Sequence, residues 1–447
     1  MKTVVEAQRN LPVYDEADVL IVGGGPAGHS AAVAAARAGA EKIVVVERYG
    51  HLGGMATGGI VILIPHLSVG NCATILGLQE EWLERLAKIP GGLVGPRLDQ
   101  TGSADPELID KWRPYFAMVW DNVICHGAYV DPDLLKIVLD QMLEEEKARI
   151  TTYLHSWGTA AIMEGGAVKG VIFESKEGRK AILARVVIDC TGDGDIFASA
   201  GAPFDEDRDV AMRNSMTAVV YRVGGCDFGA FGRYKLQNPE EWNQKHMPSL
   251  AGITGFRMSP HPTPKNDVVW VNNWLPNRYC LNVKDLTDTE FTVRRTMLQA
   301  IDYLKRNVPG FKGAYLYDIA PQLGTRGSRR LRGEYKLTVE DLKNTFQHED
   351  VISVAPAINL AISRSPTEIP YRVMVPQDVE NLLVAGRCFS SDIEANNFTN
   401  LIPHCVAMGQ AAGVAAACSL QSGASVRAVD VKKMQAELKR QGAFLPR

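Results

Sequence analysis

Gly23-Gly24-Gly25-Pro26-Ala27-Gly28 sets three glycines at G-x-G-x-x-G spacing, and Glu47 follows 19 residues after the last of them. The chemistry this pattern suits is capture of a dinucleotide. The first glycine permits a tight turn, the second lets the backbone approach a pyrophosphate, and the third lets helix and strand pack closely. A carboxylate at Glu47 would accept hydrogen bonds from ribose hydroxyls, and its charge would repel a 2′-phosphate, which disfavours NADP. The segment Gly53-Gly54-Met55-Ala56-Thr57 then turns the reading toward FAD.

A second group could act on a substrate. Gly324-Thr325-Arg326-Gly327-Ser328-Arg329-Arg330-Leu331-Arg332 is the densest charge cluster in the chain. Its arginines could bind a carboxylate bidentately or clamp a developing charge. The alternative is a solvated loop with one arginine paired to Glu334. Arg326 is the favoured catalytic candidate, since Gly324 and Gly327 flank it, with Arg329 beside it. His404, just after Pro403, could relay a proton or stabilise a flavin anion, or could simply pack or cap. His51 is considered as a covalent flavin attachment point. Asn396, Asn397 and Asn400 around Phe398 could donate to flavin or substrate carbonyls, or shape a turn. Trp270, Trp274 and Tyr279 could line a pocket, against core packing as the alternative. Asp189, Asp193 and Asp195 suit turn chemistry, and no metal is expected.

These residues need elements to hold them. Val19–Val22 reads as a strand buried on both faces. A helix with Ala31, Ala32, Ala34, Ala35 and Ala36 follows, small enough to lie close to a sheet, and presents free N–H groups and a positive dipole end to the pyrophosphate. Gly39 ends it, and Ile43–Val46 is the next strand. A helix is expected over Glu80–Ile89 within otherwise irregular structure at 60–130. Asp131-Pro132-Asp133 opens an amphipathic helix with Leu135, Val138, Leu139 and Met142 on one face. Val168–Glu174 and Ala181–Cys190 flank Lys176-Glu177-Gly178 as a hairpin. A long helix is expected from about Thr287, with Glu290 completing a capping box and Met297, Ile301, Leu304 and Val308 on one stripe. Asn381–Ala385 returns as a strand, Pro403–Leu420 as a second small-residue helix, and 430–441 as a short amphipathic one. The fold class expected is α/β: a discontinuous Rossmann-like dinucleotide domain (15–201 and 376–425), an inserted α+β substrate domain (202–375) and a C-terminal helix (426–447).

The 447 residues are 46% hydrophobic and 22% charged, with a net charge of −3. That balance gives no electrostatic reason for a nucleic-acid partner or an anionic membrane. No apolar run reaches membrane-spanning length. The eight cysteines form no C-x-x-C pair, which argues against a zinc knuckle or a dithiol redox centre. Buried, reduced thiols in a cytoplasmic protein are expected. A homo-oligomer stays open.

With these blocks in place, the chain resembles the FAD-dependent oxidoreductases of the glutathione-reductase-like superfamily, and more distantly the flavin subunits of fumarate reductase and succinate dehydrogenase. The carriers are GGGPAG at 23–28, ERYGHLGGMAT at 47–57, DCTGDGD at 189–195, RGEYKLT at 332–338, NLLVAGR at 381–387 and MGQAAG at 408–413. The resemblance implies that Gly23, Gly25 and Gly28, with Pro26 and Ala27 between them, contact the FAD pyrophosphate. Glu47 would bind the adenosine ribose, and Arg48 would lie near the adenine. Gly53, Gly54, Met55 and Thr57 would line the flavin end, Thr191-Gly192 would close over the adenosine half, and Gly386-Arg387 would touch the pyrophosphate or ribityl chain. The helix opening near Pro403 would face the flavin pyrimidine ring. Relatives often carry Gly-Asp where this chain has Gly386-Arg387, leaving Asp392 or Glu394 as substitutes for the ribityl contact.

The second dinucleotide motif and the redox cysteine pair of the two-nucleotide reductases are absent. Electrons would come from the substrate or an external partner, or NAD(P)H would bind without a Rossmann domain of its own. The activity implied is hydride transfer between flavin N5 and a small organic substrate: alcohol or amine oxidation, or desaturation or reduction of an activated C=C. The alternative is a non-redox dinucleotide-binding protein, or an NAD-consuming enzyme like the thiazole synthases.

Overall fold

The computed structural model describes residues 2–446 apart from 66, 70, 71, 345 and 357–365, and the side chains of 69, 72 and 73 are also outside the description. Part of the expected substrate region and the Cys72 thiol therefore lie outside the described residues.

The nucleotide signature folds as its sequence dictates. Val13–Val22 is a strand, Gly25 caps the helix Pro26–Arg37, and Ile43–Val46 pairs parallel to the first strand from Val19–Ile43 through Val22–Val46. Val19 to Val22 are at most 2% exposed, so this strand is covered on both faces. The sheet runs in the order Ile150–Tyr153, Ile43–Val46, Val13–Val22, Gly178–Asp189, Ala167–Ser175, Trp157–Glu164. Leu382–Val384 returns from far along the chain to pair parallel with Val187–Asp189. The hairpin at 167–189 forms around the Lys176-Glu177-Gly178 turn.

The helix Ile402–Ser422 lies directly against Pro26–Arg37. Small residues set that distance: a Cβ at Gly409 would fall 2.1 Å from the Ala27 carbonyl oxygen, and one at Gly413 2.2 Å from that of Ala31. The bend between Ile393–Thr399 and Ile402–Ser422 is 93°, and no single helix among the described residues is long and apolar enough to cross a membrane.

A second, antiparallel sheet runs in the order Tyr315–Ile319, Tyr221–Gly224, Val268–Pro276, Met216–Ala218, Gly324–Thr325, with Arg257–His261 also paired to Val268–Pro276. One face packs on the long helix Val283–Asn307 through Val293, Met297, Ala300, Ile301 and Leu304. The strands follow the two-residue alternation of a pleated sheet. Val269, Val271 and Leu275 join that core, and Trp270, Asn272 and Trp274 look the other way, onto a cavity.

Several boundaries differ from the sequence reading. The long helix begins at Val283, because the Asn282 side chain accepts the Lys284 and Asp285 N–H groups and so caps it ahead of Thr287; the Thr287 hydroxyl bonds back to the Val283 carbonyl inside the first turn. The helix expected over Glu80–Ile89 runs Leu78–Ala87. The 60–130 region holds a second helix, Pro106–Trp112, announced by Asp105-Pro106 with the same capping chemistry as Asp131-Pro132. Helices Phe228–Gln237 and Met247–Thr254 were not read from the sequence. Cys125, Cys190, Cys226, Cys280, Cys388 and Cys405 are buried, and Cys418 is half-buried.

Candidate active site

A continuous cavity of about 590 Å³ begins at the ends of the large-sheet strands and extends to the second sheet. At its first end lie Val22 and Val46, each closing a strand, and Cys190, just past the end of Gly178–Asp189, with the glycine turn beside them. The turn is tightly determined. Gly23 has φ +99°, where side chains are disfavoured, and its Cβ would sit 2.5 Å from the Cys190 carbonyl oxygen. A Cβ at Gly28 would lie 1.7 Å from the Gly23 carbonyl oxygen, so the helix and turn can meet only without one.

The predicted cofactor residues divide by depth. Gly23, Gly25, Pro26, Ala27, Glu47 and Arg48 line the cavity. So do Gly54, Met55, Thr191, Gly192, Gly386, Arg387 and Asn400. Gly28, Gly53 and Thr57 stand behind this lining. Gly53 donates its N–H to the Gly24 carbonyl at 2.8 Å, which ties the second glycine turn to the first, and the Thr57 hydroxyl donates to the Leu52 carbonyl, which closes the second turn on itself.

Glu47 is 6% exposed and accepts the Gly24 N–H at 2.7 Å and the Tyr49 N–H at 2.8 Å. Burial raises its pKa above the ordinary glutamate value, and these bonds oppose the shift. Two carboxylate oxygens offer about four acceptor positions, so two remain for ribose hydroxyls.

The TGDGD block is a self-contained polar knot. Asp189 accepts from Thr191 N–H and hydroxyl and from the N–H groups of Ile196 and Phe197, at 2.7 to 3.0 Å. Asp193 accepts from the Ser328 hydroxyl at 2.6 Å and from Arg387 Nη2 at 2.8 Å. Burial pushes the Asp193 pKa up, but Arg387 and Ser328 outweigh it and hold it below the ordinary value. The Arg387 guanidinium lies across Gly192, where a Cβ would meet Cζ at 2.9 Å. Asp195, also on the cavity, is pushed up to about 6 by burial and by Asp193 and Asp189.

The catalytic candidates separate. Arg326 lines the cavity, its Nε has no hydrogen-bond partner among the described residues, and its guanidinium lies over the Trp274 ring at 5.6 Å. Arg329 is outside the lining, and its Nη1 is held by Asp195 at 3.1 Å and the Asp193 carbonyl at 3.0 Å. His404 lies in the first turn of the helix Ile402–Ser422. It is fully buried and outside the lining, because the helix turns Leu401, Ile402 and Cys405 toward the cavity instead.

His51 is also off the lining, stacked on Tyr49 with ring centroids 5.4 Å apart. Asp392 and Glu394 are both outside the lining, and the Asp392 oxygens accept the Ala395 N–H at 2.7 Å and the Val339 N–H at 2.9 Å. Trp270 and Trp274 line the cavity, whereas the Tyr279 hydroxyl is engaged by Glu206 at 2.9 Å.

Sequence reasoning missed Arg213, Lys235, Arg257 and His261, all on the lining. The signal for Arg257 and His261 was the alternation Arg257-x-Ser259-x-His261, which places three polar side chains on one strand face; Arg213 and Lys235 lie on other elements and share no such pattern. Burial, with Lys235 and Arg257 adding to it, lowers the His261 pKa to about 3, so the imidazole is neutral at physiological pH.

A sequence model described as FAD dependent oxidoreductase matches residues 18–438. The chain belongs to that family. Its cofactor is FAD, and the lining fits it: a glycine turn open to the cavity at Gly25, where a Cβ would meet nothing within 4 Å, an acid for ribose, and the first turn of a long helix on the same cavity. No curated protein matches the chain in sequence.

Among solved structures, it is similar to a geranylgeranyl bacteriochlorophyll reductase-like protein from Thermoplasma acidophilum at 17% identity, covering 95% of this chain and 83% of that one, with a TM-score of 0.47. It is similar to p-nitrophenol 4-monooxygenase from Pseudomonas putida at 12% identity, covering 97% and 91%, with a TM-score of 0.47. The myxobacterial chondrochloren halogenase matches at 11% identity, covering 96% and 79%, with a TM-score of 0.46.

Proposed function

We propose that this FAD-dependent oxidoreductase exchanges hydride with a small organic substrate seated against the second sheet. The observation that carries this reading is the single cavity joining the glycine turn and Glu47 to the wall of Trp270, Trp274 and Arg326. A bound flavin supplies a two-electron hydride donor or acceptor, and the chain supplies the rest. Gly23, Gly25 and the N-terminus of Pro26–Arg37 hold the pyrophosphate through backbone N–H groups. Glu47 fixes the ribose.

The N-terminus of Ile402–Ser422 opens on the cavity at Leu401 and Ile402. Its dipole favours negative charge there by roughly 0.3–1 kcal/mol. Trp270, Trp274, Met247 and Phe398 form an apolar enclosure that excludes water from the reacting bond.

Anaerobic titration of the FAD-loaded protein with a panel of alcohols, amines and saturated acids tests the reading. One class should bleach the flavin. A flavin that none of them reduces, and that no enone, enoate or other activated alkene reoxidises after chemical reduction, would overturn it.

A further inference from the structure

We propose that the substrate is an organic anion, a carboxylate on a flat apolar body, gripped by Arg326 and Arg213 with the body against the tryptophan wall. This rests on the reading that substrate occupies the second-sheet end of the cavity.

The argument starts from how charge is distributed along one cavity. The acids on its lining are Glu47 and Asp195, and both belong to the nucleotide end, where Asp193 also neutralises Arg387. At the second-sheet end the lining carries Arg213, Lys235, Arg257 and Arg326, and no carboxylate among the described residues accompanies them there. Like charges in an enclosed space destabilise one another, and a guanidinium held away from bulk water without a counter-ion is strongly unfavourable. Burial, joined by Arg213 and Arg387, pushes the Arg326 pKa down to about 9, and burial alone takes Arg213 to about 10, so both stay charged at neutral pH.

The chain nonetheless builds a support for these two arginines. Arg213 Nε donates to Asn397 Oδ1 at 2.8 Å, which fixes the guanidinium and leaves its terminal nitrogens available. Asn400 Nδ2 donates to the Arg326 carbonyl at 3.2 Å and to Asn396 Oδ1 at 2.9 Å. The three asparagines therefore serve as positioning residues for the arginines. Arg326 and Arg257 both lie at the Trp274 ring, with the guanidinium carbons 5.6 and 5.5 Å from its centroid.

The unmet hydrogen-bonding capacity on the lining is mostly that of donors, against one unpartnered acceptor, Gln322 Oε1. Arg326 Nε and the indole N–H groups of Trp270 and Trp274 are buried donors with no partner among the described residues. None of these groups can accept. A ligand that matches them brings acceptors and negative charge, which a carboxylate does with two oxygens, and a guanidinium pairs with it through parallel charge-assisted bonds. Trp270, Trp242 and Phe116 supply the apolar surface beside that pair.

The test compares phenylacetate with phenylacetamide, which has nearly the same shape and no charge, on the FAD-loaded protein, reading the flavin absorption band and tryptophan fluorescence. Phenylacetate should bind at least about tenfold more tightly. Arg326→Gln and Arg213→Gln should each bring the preference to within about twofold while FAD content stays at the wild-type level. Equal binding of the two probes by the wild-type protein, or a preference that survives both substitutions, would overturn the proposal. FAD loss in both variants would overturn it too, by assigning the arginines to the cofactor. Should one variant fail to fold, the other decides. A protein that takes up no FAD refutes the redox reading, yet tryptophan fluorescence still reports on the anion preference, so the two failures are distinguishable.

Discussion

The two ends of the cavity handle charge in opposite ways. At the nucleotide end the acids and Arg387 are already engaged within the chain: Glu47 by two backbone N–H groups, Asp189 by four donors, and Asp193 by Ser328 and Arg387. At the second-sheet end Arg213 has one side-chain partner and the Arg326 guanidinium has none among the described residues. A self-satisfied polar network holds a fixed shape for a cofactor whose contacts run largely through backbone. Unpaired guanidiniums sit in a site that becomes favourable only when a ligand arrives. The first region is optimised for geometry and the second for occupancy, at the expense of stability in the free protein.

If that contrast is right, removing charge should have opposite signs at the two ends. Asp193→Asn should be the most damaging, because it leaves Arg387, 16% exposed, without its acid. Breaking one partner of a buried pair costs about 3 kcal/mol or more. A urea midpoint within error of wild type would show that the pair contributes nothing. The double variant with Arg387→Gln should recover part of the loss, since it removes the stranded cation.

Gly25→Ala separates cofactor geometry from folding at one position. Gly25 has φ −66°, which alanine adopts freely, and its Cβ would project into open cavity. The apo protein should therefore melt at the wild-type temperature while FAD affinity falls on the order of 100-fold, ~2.7 kcal/mol. Unchanged FAD affinity would move the pyrophosphate away from this turn.

At the other end, Arg326→Met should stabilise the ligand-free protein by roughly 1–2 kcal/mol, because an uncompensated guanidinium gives way to an apolar side chain of similar length. Thermal unfolding of the two proteins side by side decides it. A melting temperature below wild type would mean that Arg326 has a structural partner, and the contrast would fail.

The same contrast explains what the sequence made legible. The nucleotide end was readable because its determinants are local. A strand, a glycine turn and an acid at fixed spacing leave one backbone path, and Gly23, Gly25 and Glu47 arrive where the spacing puts them. The return of Leu382–Val384 and Ile402–Ser422 was readable from composition, since only small residues allow helix Pro26–Arg37 so close. The second-sheet end is assembled from side chains far apart in sequence. Arg213 and Arg326 become neighbours because Met216–Ala218 pairs with Gly324–Thr325, a register no local pattern announces. Arg326 was found through its flanking glycines. Arg213 and Arg257 carried no such punctuation. Arg329 lies three residues from Arg326 in the same cluster, and its ion pair with Asp195 is a long-range contact that the local sequence does not announce.

Asp195 gives the smallest effect and sharpens the nucleotide side. Its folded pKa of about 6 lies above the ordinary aspartate value, raised by burial and then by Asp193 and Asp189. The folded state therefore holds the proton more tightly than the unfolded chain. The stability this contributes is fully present below pH 4 and is lost as the pH rises through about 6. Its side chain is 28% exposed, so solvent screening reduces the expected amplitude to about 1 kcal/mol. Asp195→Asn removes the titration, so the stability of this variant relative to wild type should increase between pH 4 and pH 7 and then level off. A difference that stays flat across that range would show that Asp195 titrates normally. The three aspartates of the block would then be screened from one another by more solvent than the knot of hydrogen bonds around Asp189 and Asp193 allows.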